Sequence, residues 1–450
     1  MKQHRPYLWL FLTVVVIILL SPLSYWSSGI GQAAAGLSAE ISRQPDGTLI
    51  SSPKAEALHS LSLPMRIERM LIYPLLLLSF QFSGGSLALR SWLERQVPIK
   101  MAGGQRSRGA GGKHSLIQTA VGRLRSAVIS AVPLLLFILT FNLALTLLYL
   151  PFNFYRGFIV AHQFGLSTQT VPGWFSDLLK GLLINLVIDG LTWTGLYELM
   201  RLLPRHWPLP AGALLVLFSV VLVLLTPILI TPLFYEVHPL DDPTLRARIL
   251  TLADQAHMHV EAVDVIDASS KTTEVNAYFT GFGGAQRIVL YDTLLTDYTP
   301  DQIEVVLAHE MGHWYYHHVL LGVVGLGAVG WLGLFGLRWL LNRTWQWLGL
   351  RGPADIAGLP YVLAVLAVAS ILALPFENTI SRYAESQADH FALTVSQNPS
   401  AMIQLFEQFA VQNLSPVDAP EWEKFIFYTH PSIAERIGMA ETWHEATNHH

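Results

Sequence analysis

Seven long apolar runs constrain the fold of this chain more than any other feature of its sequence. They lie at residues 7–26, 70–89, 127–154, 181–200, 211–235, 319–337 and 356–376. Each is long enough for a helix to cross a bilayer, where backbone hydrogen bonds must be satisfied within the segment. Only 13% of the residues are charged, against about a quarter in soluble domains. The sequence therefore predicts a mainly α, polytopic membrane protein with about seven transmembrane helices.

The apolar runs divide the chain into four regions. These are an N-terminal membrane region with five spans (1–235), a polar core (236–318), a membrane hairpin of two spans (319–376) and a polar C-terminal segment (377–450). The first run can also be interpreted as a cleaved signal peptide, because Ala33, Ala34 and Ala35 resemble a small-residue cleavage site. Pro227 and Pro232 are expected to bend or end the fifth span.

The polar core, residues 236–318, is the one sizeable stretch with the patterning of a soluble domain. It predicts a helix over 244–257, strands over 262–267, 275–279 and 287–291, and a glycine-rich turn over 281–284. We therefore expect a small α+β domain at one face of the membrane.

His309 and His313 stand four residues apart, with Glu310 beside the first, in the pattern H-E-x-x-H. On a helix both imidazoles can reach one metal ion, and the glutamate can reach a water molecule on it. Zinc with an open position can lower the pKa of that water to about 7, and Glu310 would carry its proton to the leaving amine. Two surface histidines on an amphipathic helix are the alternative, but the preceding apolar residues 305–308 favour a buried helix.

Glu385 and Asp389 form a second pair with the same spacing, about 70 residues further on. On a helix, one carboxylate can bind the metal while the other accepts a hydrogen bond from a ligating histidine. A solvated helix face is the alternative. The ligand interpretation is favoured because the pair follows an apolar span and has H-E-x-x-H upstream.

Composition excludes several kinds of chemistry. Cysteine is absent, which excludes disulfides, thiolate zinc sites and a cysteine nucleophile. The formal net charge is −4 and no basic surface interleaved with aromatic residues is visible, so nucleic acid is not an expected partner. The expected partners are the lipid bilayer and a peptide or protein substrate, which can itself be membrane-associated. The oligomeric state stays open.

Basic residues are distributed unequally between the two sides of the predicted membrane region. One side holds Lys2, Arg5, Arg90, Arg95, Lys100, Arg106, Arg108, Lys113, Arg123, Arg125, Arg201, Arg205, Arg338, Arg343 and Arg351. The opposite side holds Arg43, Lys54, Arg66, Arg69, Arg156 and Lys180. By the positive-inside rule the first side is cytoplasmic. The metal helix and the C-terminal segment are then expected at the extracytoplasmic face.

Further motifs stand in a fixed order along the chain. They are Leu150-Pro151-Phe152, Phe164-Gly165 and Gln169-Thr170, the stretches 276–282 and 287–295, the stretch 378–389, and His430-Pro431-Ser432 with Arg436-Ile437. Together with the apolar runs and H-E-x-x-H, this series resembles the integral-membrane CAAX prenyl endopeptidase family of zinc metallopeptidases. The resemblance extends over nearly the whole chain.

The resemblance implies one zinc ion per chain, bound by His309, His313 and Glu385. It also implies that Glu310 is the general base and that Asp389 orients a ligating histidine. In this family the spans wall a large intramembrane chamber, so the predicted fold is a helical bundle or a chamber of this kind.

The resemblance assigns further residues to the substrate. His430 would hold substrate and stabilise the oxyanion, whereas capping of a turn before Pro431 is the alternative. Residues 276–280 would form an edge strand that pairs with an extended substrate backbone, whereas an ordinary buried strand is the alternative. The expected substrate-binding residues are Asn276, Ala277, Tyr278, Phe279 and Arg436.

Four other polar residues lie outside this assignment. A chamber would give Asp189 and Glu198 water to face, and a buried hydrogen bond is the alternative for Asp189. His317 and His318 extend the histidine row but are expected to serve packing, because the helix rise carries His317 about 6 Å further from the metal.

This chain departs from the family pattern in two features, which are the Gly-rich basic loop after the second span and the predicted extracytoplasmic catalytic face. They indicate a prokaryotic member located in the cell membrane. The predicted function is a membrane-embedded zinc endopeptidase acting on membrane-associated or extended polypeptides, including damaged membrane proteins. One alternative is a CAAX prenyl protease that removes the C-terminal tripeptide of prenylated proteins. A catalytically silent receptor, transporter or scaffold is the other, and the intact Glu310 argues against it.

Overall fold

Helices dominate the protein in this computed structural model, which describes residues 5–96, 114–281 and 286–448. Lys2, the centre of the basic loop at 97–113 and residues 282–284 of the predicted turn lie outside the described residues.

The N-terminal membrane region is a series of long helices joined by short ones. In chain order they are α1 (Arg5–Ser27), α2 (Ile30–Ala33), α3 (Pro53–Phe82), α4 (Gly85–Gln96), α5 (His114–Phe154), α6 (Ala161–Phe164), α7 (Val171–Leu202), α8 (Pro208–Leu225) and α9 (Thr231–Phe234). A small antiparallel hairpin, β1 (Ser42–Arg43) and β2 (Leu49–Ile50), lies between α2 and α3. Over the whole described chain, six helices can cross a membrane, or seven spans if α3 and α4 count as one. The predicted architecture is confirmed.

The helix that contains the second predicted span is longer than the span and is bent. The span is predicted from residue 70, and α3 begins earlier, at Pro53, where the Ser52 side chain accepts a hydrogen bond from the Ala55 amide. The span is also bent, because α4 leaves α3 at an angle of 62°. Gly84 at the bend has a φ of 81°, a left-handed conformation that glycine adopts without steric cost.

Two other membrane helices continue through π-helical turns. Tyr155–Val160 joins α5 to α6 and carries the third span beyond its predicted end at residue 154. Thr226–Ile230 joins α8 to α9 and contains Pro227. Because proline has no backbone N–H, the regular hydrogen-bond pattern is interrupted there, as expected for the fifth span.

A four-stranded sheet forms the centre of the polar core. Its strands are β3 (Val237–Pro239), β4 (Ala262–Ile266), β5 (Ala277–Thr280) and β6 (Arg287–Tyr291). Their order is β3-β4-β6-β5, with β4 and β6 parallel and the other neighbours antiparallel. β4, β5 and β6 are close to the predicted strands, whereas β3 is too short to show a readable alternation. β5 lies at one edge of the sheet.

Helices surround this sheet and complete the chain. They are α10 (Pro243–Gln255), α11 (Asp292–Asp297), α12 (Pro300–Tyr315), α13 (His318–Thr344), α14 (Leu359–Ser396), α15 (Pro399–Gln412), α16 (Glu421–Phe427) and α17 (Ile433–Asn448). α13 and the first part of α14 correspond to the predicted hairpin. A boundary between the membrane hairpin and the C-terminal segment is predicted at residue 376, but α14 continues through this position without a break. One helix therefore passes from the membrane hairpin into the segment that carries Glu385.

The membrane helices pack around a common apolar core. Its fully buried members include Leu77 of α3, Phe137 of α5 and Leu341 of α13, each 0% exposed. α1 joins the bundle by packing Val14 and Ile18 against α3 and α5. Many other apolar side chains on these helices are exposed, as expected for surfaces that face lipid.

The two intramembrane carboxylates both have protein partners. Asn142 donates a hydrogen bond from Nδ2 to Oδ2 of Asp189 at 2.9 Å. Arg201 forms an ion pair with Glu198 at 2.7 Å, one turn along α7. These contacts support the hydrogen-bonded interpretation of Asp189 that the sequence left open.

Candidate metal centre and active site

The H-E-x-x-H segment lies on α12, and the start of this helix is defined by its sequence. Thr299 and Gln302 form a capping box, in which each side chain bonds the backbone amide of the other. The residues leading to the histidines are buried, with Val305 and Leu307 each 1% exposed. α12 is therefore a core helix, which excludes the alternative of a surface helix.

A close contact between α12 and α14 brings the two halves of the site together. A Cβ atom on Gly312 would lie 2.9 Å from Cα of Ala388 and 3.1 Å from Cβ of Phe391. No side chain fits at this crossing, so a residue larger than glycine would push the helices apart. Gly312 thus permits His309 and His313 to face Glu385.

Three side chains converge at this crossing. His309 Nε2 lies 3.1 Å from His313 Nε2 and 3.2 Å from Glu385 Oε2, and His313 Nε2 lies 3.3 Å from Glu385 Oε1. One ligand atom from each residue lies within 4.8 Å of the others. Glu385 is 7% exposed, and its Oε2 has no hydrogen-bond partner. Two imidazoles and a buried carboxylate with an unsatisfied oxygen fit a metal ion.

Asp389 fixes the orientation of His309 from behind the site. It is 0% exposed, and its Oδ1 lies 2.8 Å from His309 Nδ1. A proton on Nδ1 is thereby held toward the carboxylate, which leaves the lone pair on Nε2 facing the other two side chains. Burial lowers the pKa of His309, but the carboxylates of Asp389 and Glu385 raise it more, to about 9. The negative charge of these two carboxylates also favours the binding of a cation.

Arg436, which is expected to bind substrate, lines a cavity together with Glu310 and His430 and also pairs with Asp389. Nε and Nη2 donate to the two oxygens of Asp389 at 2.8 and 2.5 Å. Its guanidinium also lies 4.0 Å from the centre of the Phe406 ring. Arg436 therefore compensates the buried charge of Asp389, and removal of either partner would leave the other unpaired.

His318 supports His313 in the same way, and sequence reasoning missed this contact. Nδ1 of His318 lies 2.9 Å from Nδ1 of His313, and Nε2 of His318 lies 3.2 Å from Oε1 of Gln387. The contact is possible because α12 ends at Tyr315 and does not continue to His318, with His317 at a positive φ of 55° between the two helices. Regular helical spacing does not apply across that break.

We expect His318→Ala to lower the zinc affinity of the protein by about 10- to 100-fold, because His313 loses the group that orients it. Competition with a fluorescent chelator measures this affinity directly. His317→Asn is the matched control, since His317 is exposed and asparagine tolerates its left-handed backbone. Equal zinc affinity in the His318→Ala variant and the wild type would contradict the assignment.

Glu310 lines a cavity of about 120 Å³ beside the three converging side chains. The cavity is also lined by Asn276, Ala277, His309 and His430, among others. Burial raises the pKa of the Glu310 carboxyl, whereas the neighbouring histidines lower it. A carboxyl with a raised pKa accepts a proton more readily, which suits a general base.

The predicted substrate residues are divided between two cavities along the strand. Asn276 and Ala277 line the cavity of Glu310, as expected. Tyr278 and Phe279 line a separate cavity, together with α8 and the π-helical turn that follows it. Phe279 also packs against Trp314 of α12 with 5.4 Å between the ring centres. The start of the strand therefore lies at the candidate active site, and its continuation lies beside α8.

His430 reaches the site from the loop between α16 and α17. Its Nε2 lies 3.3 Å from Glu385 Oε2, and its Nδ1 lies 2.8 Å from Thr429 Oγ1. Its side chain is 55% exposed, so the ring stands at the open side of the centre. The alternative of a purely local capping role does not account for the contact with Glu385.

Asn378 and Arg382 hold this loop in place, a role that sequence reasoning did not assign. Arg382 donates from Nη1 to the carbonyls of Lys424 and Tyr428 at 2.6 and 2.8 Å, and Asn378 donates to the carbonyl of Ile426. Both residues belong to the motif at 378–389, which carries Glu385 on the same helix. The motif therefore contains the third converging side chain together with the clamp for His430.

Comparisons with known proteins agree with this geometry. Residues 239–444 match the model of peptidase family M48, and residues 114–236 match that of the CAAX prenyl protease N-terminal region with five membrane helices. An uncharacterized metalloprotease of Bacillus subtilis, YhfN, is 33% identical over 371 residues, which is 82% of this chain and 80% of the relative. CAAX prenyl protease 1 of Saccharomyces cerevisiae is 28% identical over 312 residues, or 65% of this chain and 68% of the relative.

A solved structure shares the fold over almost the full length. The crystal structure of S. mikatae Ste24p aligns with a TM-score of 0.64 at 23% identity, and the alignment covers 96% of this chain and 98% of that one. The membrane helices and the polar core therefore have the arrangement of that protein. With the two family matches and the bacterial relative, this chain belongs to peptidase family M48, within the integral-membrane CAAX prenyl proteases, and it is a membrane zinc endopeptidase.

Proposed function

We propose that the protein hydrolyses membrane-associated or extended polypeptides at one zinc ion per chain, held by His309, His313 and Glu385. The observation that supports this most directly is the convergence of their ligand atoms within 4.8 Å, around a buried carboxylate oxygen without a hydrogen-bond partner. When bound, zinc would polarise the substrate carbonyl and lower the pKa of a water molecule.

Glu310 would act as the general base in this reaction. It lines one cavity together with His309, where it can accept a proton from the attacking water and pass it to the leaving amine. Asp389 would hold His309 in the tautomer that presents Nε2, with Arg436 keeping that carboxylate ionised.

His430 would stabilise the negative charge that develops on the substrate carbonyl oxygen. A hydrogen bond from the Thr429 hydroxyl to Nδ1 would leave the ring proton on Nε2, which faces the site. A donor held in this position contributes more in the transition state than in the ground state. Asn378 and Arg382 would serve as positioning residues for it.

β5 would align the substrate backbone. It pairs with β6 along one side and forms the edge of the sheet, and its first residues line the cavity of Glu310. An extended polypeptide added to this edge would gain main-chain hydrogen bonds with little demand on its sequence. Asn276 and Ala277 would lie closest to the reacting bond, whereas Tyr278 and Phe279 would lie further along the strand.

A CAAX prenyl protease is the second candidate for the biological role. It is favoured by the 28% identity to CAAX prenyl protease 1 of Saccharomyces cerevisiae, over 65% of this chain. The chemistry at the metal centre would be the same, and the two candidates differ in whether the substrate carries a prenyl group.

The catalytic face would lie outside the cytoplasm of a prokaryotic cell. The distribution of basic loop residues supports this orientation, and the match to the Bacillus subtilis metalloprotease supports a prokaryotic membrane. A tag placed after residue 450 should be accessible to an antibody added to intact cells, and accessibility only after permeabilisation would reverse the orientation.

We expect detergent-purified protein to contain about one zinc ion per chain and to cleave members of a quenched peptide library. Removal of the metal by a chelator should abolish cleavage, and added zinc should restore it. Comparison of each active peptide with its farnesylated counterpart separates the two candidate roles. Cleavage that survives complete removal of the metal would contradict the proposed chemistry.

A further inference from the structure

Three arginines converge near the active site without taking part in the mechanism described above. Arg66 and Arg69 stand three residues apart on α3, and Arg156 lies on the π-helical turn after α5. The two elements share one buried cluster, which contains Met65 of α3 and Tyr155 of the turn. All three arginine residues are exposed.

The described residues near this group include carboxylates, but none of them forms an ion pair with it. Among the described residues, no carboxylate forms an ion pair with Arg66, Arg69 or Arg156. The neighbouring acid, Glu68, instead accepts a hydrogen bond from the hydroxyl of Tyr25 at 2.6 Å. The charges of Arg66 and Arg69 also act on that of Arg156. Like charges held together in this way favour binding of an anion.

The group is connected to the wall of the active site. The guanidinium of Arg66 lies 5.6 Å from the centre of the Phe427 ring. Phe427 is the last residue of α16 and precedes the loop that carries His430. Three residues of chain span at most about 10 Å, so Arg66 lies beside the segment that leads directly to His430.

We propose that Arg66, Arg69 and Arg156 form a binding site for a carboxylate of the polypeptide substrate, a few residues from the cleaved bond. The proposal rests on the peptidase function given above. Guanidinium groups match the planar geometry of a carboxylate and can bind it with two parallel hydrogen bonds. A substrate carboxylate is favoured over a lipid phosphate because Arg66 packs on the helix that leads to His430.

The test uses peptides that differ by one charge. A neutral parent peptide with blocked ends is compared with a set in which a single Glu occupies each position in turn, on both sides of the cleaved bond. Binding of each peptide to the Glu310→Gln protein in zwitterionic nanodiscs is measured by fluorescence anisotropy, which does not depend on turnover. Cleavage of the same peptides by the wild type is measured in parallel.

We expect one or two Glu positions to strengthen binding by about 10-fold. The variant with Arg66→Gln, Arg69→Gln and Arg156→Gln should lose this preference and still bind the neutral parent. The matching triple Arg→Lys variant should retain part of it, which separates loss of charge from loss of folding. Arg246→Gln, at an exposed arginine of α10, is the control and should change nothing.

Several outcomes would overturn the proposal. One is equal binding at every Glu position, and another is a preference that survives the triple Gln substitution. A third concerns nanodiscs that also contain anionic lipid. If the triple Gln variant bound the peptides like the wild type but no longer responded to anionic lipid, the site would be assigned to a lipid headgroup. Failure of the peptidase function has a different signature, since the wild type would cleave none of the peptides while the binding preference persisted.

Discussion

Glu310→Gln is expected to lower kcat by about 100- to 10,000-fold while zinc stays bound, because it removes the general base and no metal ligand. Gln has the shape of Glu, so the cavity beside His309 and His313 should keep its form. KM should change little, since the substrate contacts proposed for β5 and His430 are untouched. The measurement combines steady-state cleavage of a quenched peptide with elemental analysis of the same preparation.

The control for this substitution is Glu304→Gln on the same helix. Glu304 forms a surface ion pair with Arg248 at 2.6 Å, and such pairs contribute about 1 kcal/mol or less to stability. This variant should therefore retain wild-type turnover. Full activity in the Glu310→Gln protein would mean that another group carries the proton.

Glu385→Ala is expected to remove both the metal and the activity. The substitution takes away one of three converging ligands, and two histidines alone hold zinc far more weakly. Alanine preserves α14 because it is a strong helix former. Zinc content should fall toward background, kcat/KM should fall below detection, and added zinc should no longer raise the thermal unfolding midpoint.

Glu377→Ala is the matched control for this second prediction. It is an exposed glutamate on the same helix, so the variant should keep its zinc and its turnover. The helical circular dichroism signal distinguishes loss of zinc from general unfolding. It should be the same in the wild type, the Glu385→Ala variant and the Glu377→Ala variant. A Glu385→Ala protein with a full complement of zinc would show that the third ligand lies elsewhere.

The two substitutions also separate the roles of neighbouring carboxylates. Glu310 and Glu385 both line the metal centre, but loss of the first should leave an inactive protein that binds zinc, whereas loss of the second should leave an inactive protein that does not. A receptor or scaffold that had kept the fold would show no turnover in the wild-type protein. Neither substitution could then lower its activity.

Local patterns in the sequence were sufficient to predict much of this protein. A span depends on the hydropathy of about 20 consecutive residues, and two side chains four residues apart share a helix face wherever the helix lies. The spans, the strands β4 and β6, and the pairing of His309 with His313 follow from such neighbours. The bend at Gly84 and the early start of α3 were missed, because apolar content alone does not report backbone conformation.

Contacts between distant segments could not be predicted in this way. The motif that accompanies His430 associates Arg436 with the substrate, but it does not reveal the pairing of Arg436 with Asp389, 47 residues earlier. His318 was expected to serve packing, and its contact with His313 depends on the break in the helix at His317, which has a positive φ. Both contacts depend on how separate elements meet, which the pattern of one element does not report.

The sequence by itself determined the membrane class, the order of the helices and the residues able to bind a metal, because each of these depends on residues close together in the chain. Only the tertiary structure decided that α12 and α14 cross at Gly312, that His318 contacts His313, and that Arg66 lies against Phe427 of α16. These arrangements depend on the packing of segments far apart in sequence, and packing is a property of the whole fold.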